Sequence, residues 1–174
     1  MHYCLDPHTT PPASLHGRRD LHARRRIQRG DPQIRSTLEP AGLLLGSFQF
    51  DPGALDRSRL EHLYLEEHPD IASIDPRQLF ETDAQFHEMI AAFSGNIFFL
   101  QAIQQQNRLR RLLEFGGYSN RRRVRDWYRE HLVIIDSILQ GDRIQASKLM
   151  ATHLKAARGA ARFYPKSDVR AENF

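Results

Sequence analysis

Residues 130–154 read EHLVIIDSILQGDRIQASKLMATHL. Leu132, Ile135, Ile138 and Leu139 fall at helical spacing before Gly141-Asp142. Ile144, Ala146, Leu149, Met150 and Leu154 continue that spacing after it. The glycine can close one helix in a left-handed conformation, and the aspartate can cap the next. A break this short folds two amphipathic helices back on each other, so the stretch predicts an antiparallel helical hairpin.

Outward from the hairpin the same period recurs. Its first helix is expected over 121–140, adding Val124, Trp127 and Tyr128, and its second runs to about Phe163. Ile97 to about Phe115 carries Phe99, Leu100, Ile103, Leu109, Leu112 and Leu113, with Gly116-Gly117 as its end. Asp75-Pro76 is a helix start, since the acid can cap and proline suits the first helical position. The helix it opens carries Leu79, Phe80, Phe86, Ile90 and Phe93, and Ser94-Gly95-Asn96 is a stop followed by a start. Gly53 to His68 is helical through Leu55, Leu60, Leu63 and Leu65. Gln33 to Leu45 is helical too, with Pro40 predicting a kink or break. No long stretch alternates with period two. The expected fold is an all-α antiparallel bundle.

Composition agrees with a soluble globular chain: of 174 residues, 40% are hydrophobic and 26% charged. No apolar run approaches the roughly 20 residues of a membrane span, and MHYCLDPHTT lacks the apolar core of a signal peptide. One cysteine excludes an internal disulfide framework and a cysteine-rich zinc module. A cytoplasmic location is the default expectation. Residues 1–30 hold six arginines against Asp6 and Asp20, which equals the whole net charge of +4 and leaves the rest neutral. The expected organisation is a basic arm over 1–32, a helical domain over 33–164 and a tail over 165–174. Prolines 7, 11, 12 and 32 break the arm up. It reads as a solvated tail, as a phosphate-contacting arm, or as a non-biological stretch added by a wrong start codon or reading frame.

Nine histidines invite a search for metal-ligand spacing. His62 and His68 are expected on or near a solvated helix face. Asp83 and His87 stand one turn apart on a core-facing side, beside Phe86 and Ile90. A buried carboxylate there costs several kcal/mol unless something positive pairs with it, on the order of magnitude typical for buried ions. His131 precedes Gly141 by 10 residues and His153 follows Asp142 by 11. At about 1.5 Å per residue both lie roughly 15–16 Å from the turn, at matched heights on the two hairpin helices. Each histidine alone reads as an ordinary half-buried residue. Jointly, three imidazoles and one carboxylate suit Zn²⁺ best, with Ni²⁺, Fe²⁺ or Mn²⁺ as alternatives.

Asp83-x-x-Phe86-His87, Ser94-Gly95-Asn96, Glu130-His131-Leu132 with Ile138-x-x-Gly141-Asp142, and Ala146-x-x-x-Met150-x-x-His153-Leu154 follow in that order. With Ile34-Arg35-x-x-Leu38-Glu39-Pro40, they resemble the FadR C-terminal (FCD) domain, the effector-binding half of one branch of the GntR transcription regulators. The resemblance covers roughly residues 33–160. It implies six or seven helices around a central cavity, where a divalent metal is held by an Asp and three His, here Asp83, His87, His131 and His153. It also implies a small carboxylate or sugar acid bound at the metal, and a homodimer. Arg35 matches a position where an arginine can hold an effector carboxylate in a bidentate contact. Asn96 reads as a helix cap. Regulators of this kind carry a winged helix-turn-helix ahead of this domain, and no such pattern appears in residues 1–32. DNA binding is therefore expected only if that reader is supplied elsewhere.

The alternative function is a metal-dependent enzyme built on the same four residues. No general base stands out for it. Glu88 and Glu130 each neighbour a candidate ligand in sequence and so point about 100° away around the helix. A third reading is a structural dimerisation bundle whose histidines are merely buried.

Overall fold

A computed structural model describes residues 32–113 and 120–161 of the chain. Among these residues six α-helices follow one another: α1 Pro32–Leu44, α2 Pro52–Glu67, α3 Pro76–Phe93, α4 Ile97–Leu113, α5 Arg121–Leu139 and α6 Arg143–Ala161. One 3₁₀ turn, Ile71–Ser73, lies between α2 and α3, and the described residues contain no strand. None of these helices is long and apolar enough to cross a membrane. The expected arm (but for Pro32, which opens α1), the tail and the Gly116-Gly117 closure lie outside the described residues.

Local chemistry sets the helix starts. Asp51, Asp75, Asn96, Asn120 and Asp142 each place a side-chain oxygen 2.8–3.2 Å from a backbone N–H of the turn that follows. That satisfies one of the donors a helix N-terminus leaves free. Asn96 is thus a cap, as read from the sequence. Gly95 and Gly141 end α3 and α5 at φ +69° and +78°, in the left-handed region where a side chain is strained. At Gly95 a Cβ would also lie 3.0 Å from the Ser47 carbonyl oxygen.

Pro40 neither stops α1 nor divides it; the helix runs through it. Tertiary packing overrides the local penalty. α1 lies along α6, where the Ser147 hydroxyl donates to the Pro40 carbonyl at 2.9 Å and Arg143 donates to the Leu45 carbonyl at 2.9 Å.

Paired contacts show how the helices run. Arg59–Asp136, His62–His131 and Arg129–Glu66 join α2 to α5 in reversed order. Asn107–Glu88 and Arg110–Asp83 do the same for α4 and α3. Pro40–Ser147 and Leu45–Arg143 do so for α1 and α6. These pairings are antiparallel, as the sequence periodicity predicts.

Two apolar clusters fill the bundle. One gathers Leu43, Phe48, Leu55, Phe86, Ile90, Ile134, Ile135, Ile138, Ala146, Met150 and Leu154. The other gathers Leu65, Ile71, Leu79, Phe80, Ala84, Val124 and Tyr128. Phe86 of the first stacks on His131 with ring centres 4.1 Å apart, and Tyr128 of the second stands edge-on to His62 at 5.3 Å. A polar group therefore sits at the seam of two apolar cores, where burial makes each unpaired polar atom costly.

Candidate metal centre

Asp83 and His87 project from α3, His131 from α5 and His153 from α6, and all four are buried. One donor atom from each lies within 4.8 Å of the other three. His131 Nε2 is 3.1 Å from His153 Nε2, and Asp83 Oδ1 is 3.7 Å from His87 Nε2 and 3.8 Å from His131 Nε2. The matched heights of His131 and His153 on the hairpin bring their rings together.

The outward-facing atoms of the group are each engaged. His87 Nδ1 donates to Glu39 Oε2, and Arg35 Nε donates to Glu39 Oε1 at 2.6 Å. His153 Nδ1 donates to Glu130 Oε2 at 2.7 Å. Asp83 Oδ2 accepts from Arg110 at 2.9 Å. His131 Nδ1 meets His62 Nε2 at 3.0 Å, and His62 Nδ1 donates to the Ser58 carbonyl at 2.7 Å.

Proton counting then tests whether a cation fits. A neutral imidazole carries one N–H. Donating it outward to a carboxylate leaves only a lone pair on Nε2 of His87 and of His153. Two Nε2 atoms 3.1 Å apart, beside a carboxylate, gain nothing from one another without a proton or a cation between them. His87 Nε2 is moreover buried with no hydrogen-bond partner. An inward set of lone pairs, with outer nitrogens held by acceptors, is what an imidazole metal site requires. The Asp/His₃ group can hold a metal.

Burial disfavours a charged imidazole, pushing His62 down to about 4. Burial, reinforced by the neighbouring imidazoles, holds His131 well below its usual range, and burial outweighs the Glu130 contact to lower His153 as well. At the carboxylates burial pushes upward but is overcome. Arg35, with the His87 N–H, draws Glu39 down to about 2, and Arg110 holds Asp83 well below the usual carboxylate range.

These directions set the acid response of the metal-free chain. Unfolding frees the histidines to titrate near 6.5, so below that pH the unfolded chain binds protons that the folded chain excludes. Stability therefore falls as the pH drops from about 6.5 towards 4; His62, at about 4 in the folded chain, accounts for about 2 kcal/mol of that fall between pH 7 and 5, and His131 and His153 add to it in the same direction. Glu39 and Asp83, with lowered folded values, add a further loss as the pH falls below their unfolded range near 4. Urea unfolding at pH 7 and pH 5 measures this, and equal midpoints would contradict it.

Three partners were not singled out from the sequence: Glu39, Arg110 and His62. The expectation that His62 lies on a solvated face is wrong. Its side chain is fully buried against Phe86, Tyr128 and His131. The signal was present: Leu55, Ser58, His62 and Leu65 form one buried stripe at spacings of three and four on α2. His68, at the C-terminal end of α2, is half-buried, and its Nδ1 accepts from the Asp70 N–H at 3.2 Å. Arg35 is buried, and beyond its bond to Glu39 its Nη2 has no partner. Of the two acids next to candidate ligands in sequence, Glu88 accepts from Asn107 at 2.9 Å, whereas Glu130 reaches across to His153 and accepts from its Nδ1 at 2.7 Å, a role its place beside His131 did not suggest.

The FCD domain family model matches residues 33–156, so the match reaches into all six helices. Neither a curated protein nor a solved structure matches the chain.

Proposed function

The chain belongs to the FCD domain family, and we propose that it is the effector-sensing half of a GntR-type transcription regulator. In this reading Asp83, His87, His131 and His153 bind a divalent metal, zinc by donor preference. A small carboxylate or sugar acid binds at that metal. The observation that carries the reading is the convergence of imidazole lone pairs on the Asp83 carboxylate inside the core. The bound ion would supply a Lewis-acidic anchor for ligand oxygens.

The surrounding charges favour an anionic ligand. Among the described residues of the group, Asp83, Glu39 and Glu130 face Arg35 and Arg110, three negative charges to two positive. A divalent ion turns that balance to one positive charge, and a carboxylate neutralises it. Arg35 is the proposed second contact, because its buried Nη2 is free to donate to a carboxylate oxygen. Glu39 holds the guanidinium from its other side and His87 by its ring, so one carboxylate orients both.

Signal transfer is the remaining step. α3, α5 and α6 each contribute to the group, so occupancy alters the relative free energy of their packings, which a homodimer partner can read. In this reading DNA contact would belong to a winged helix-turn-helix domain and not to the six helices described. The enzyme alternative gains no support from Glu88 and Glu130, which are already committed to Asn107 and His153.

Calorimetric titration of a panel of small carboxylates and sugar acids, with neutral sugars as controls, tests the proposal. At least one acid is expected to bind the zinc-loaded chain and to bind the metal-free chain or His153→Ala at least about tenfold more weakly. Arg35→Met is expected to weaken it roughly tenfold to a hundredfold, as for a lost charge-assisted hydrogen bond. Acid binding indifferent to zinc, or steady turnover of a bound acid, would overturn the reading.

A further inference from the structure

Three of the four residues at the centre have a charged partner behind them: Glu39 behind His87, Glu130 behind His153 and Arg110 behind Asp83. His131 does not. Its Nδ1 faces another imidazole, His62 Nε2, at 3.0 Å, from a residue 69 positions earlier in the chain. Two facing imidazoles leave it open which one donates.

The far end of His62 removes the ambiguity. His62 Nδ1 lies 2.7 Å from the Ser58 carbonyl oxygen, one turn earlier on α2. A carbonyl oxygen only accepts, so the proton of neutral His62 sits on Nδ1. Its Nε2 then carries a lone pair and can only accept. The donor across the 3.0 Å contact must be His131 Nδ1–H, which leaves the His131 Nε2 lone pair facing Asp83 and His153. Both rings are held in place by aromatic neighbours. Phe86 lies flat on His131, and Phe86 and Tyr128 stand edge-on to His62 at 5.3 Å. Both imidazoles are fully buried, so water does not compete for either partner.

We propose that His62 is a positioning residue that transmits the direction of the Ser58 carbonyl to His131 and so fixes the tautomer in which His131 Nε2 can bind metal. The role rests on the reading of Asp83, His87, His131 and His153 as a metal centre. A neutral relay also has an electrostatic consequence. A carboxylate in its place would fix the same tautomer but would cancel the single positive charge that a loaded centre retains for an anionic ligand.

The test uses the full chain, the metal alone as probe, and two substitutions. His62→Phe fills the volume without an acceptor; His62→Gln keeps an acceptor oxygen. Nitrogen-15 NMR of histidine-labelled, metal-free wild type is expected to find the His131 proton on Nδ1. Zinc affinity, read by competition with a chromophoric chelator, is expected to fall 10- to 100-fold in His62→Phe, the usual effect of losing an outer partner of a metal-bound histidine. In His62→Gln it is expected to stay within about threefold of wild type. Equal weakening in both variants would assign His62 to packing alone and overturn the proposal. So would wild-type affinity in folded His62→Phe, or a proton on His131 Nε2 in the wild type. Should the wild type bind no zinc, the metal reading itself fails, and the tautomer measurement still decides the role of His62.

Discussion

Zinc added to the metal-free chain at about a thousand times its dissociation constant is expected to add about 4 kcal/mol of stability. For a domain of this size that is roughly a 15 °C rise in melting temperature. The gain arises because the donor set exists only in the folded state: its four residues come from three helices that unfolding separates. The metal-free core also sets neighbouring Nε2 lone pairs against one another, and the ion relieves that conflict. His153→Ala should keep less than half of the gain, since it removes one donor and leaves Glu130 without its imidazole. Asp83→Asn should lose nearly all of it, because the only anionic donor disappears while Arg110 stays beside the site. Calorimetric melts across a zinc titration measure this. Equal melting temperatures with and without zinc would contradict it.

Glu39→Ala is expected to destabilise the metal-free chain by about 3–5 kcal/mol, the range for breaking one side of a buried ion pair. Glu39 is 2% exposed and holds both Arg35 Nε and His87 Nδ1. Without it a buried guanidinium has lost its anion and His87 has lost its acceptor. The double substitution Arg35→Met with Glu39→Met should recover most of that loss, because two well-packed apolar side chains replace a buried pair at little net cost. It should still bind zinc 10- to 100-fold more weakly, since the His87 ring has no outer partner to orient it. Urea unfolding of the two variants separates these effects. Equal instability in both would show that the position acts through volume and not through charge.

The helices were legible because their signals are local. Asp75-Pro76, Ser94-Gly95-Asn96 and Gly141-Asp142 each carry their own stop or cap chemistry, and each stands where the sequence puts it. Asp83 with His87 is a one-turn relation, and His131 with His153 is a hairpin relation, so both pairs follow from helix geometry. The break that Pro40 suggested does not form, because its local cost is outweighed by packing along α6. His62, by contrast, misled. α2 carries Leu60 and Tyr64 on its outer side, 64% and 60% exposed, so apolar residues alone point to the wrong face. Arg110 and Glu39 join the site from α4 and α1 through contacts spanning 27 and 48 residues. No helix period encodes a pairing of that kind. It depends on how the helices are arranged around one another.

Effector sensing by this bundle requires an ion held by one carboxylate and three imidazoles inside it. Elemental analysis joined to X-ray absorption at the metal edge, on chain purified without chelator or a histidine tag, decides whether it is there. The expected result is close to one divalent metal per chain, with a nitrogen and oxygen shell at about 2.0–2.2 Å and the outer-shell scattering of three imidazole rings. Less than about a tenth of an equivalent of any transition metal, with no uptake of added zinc, would contradict it.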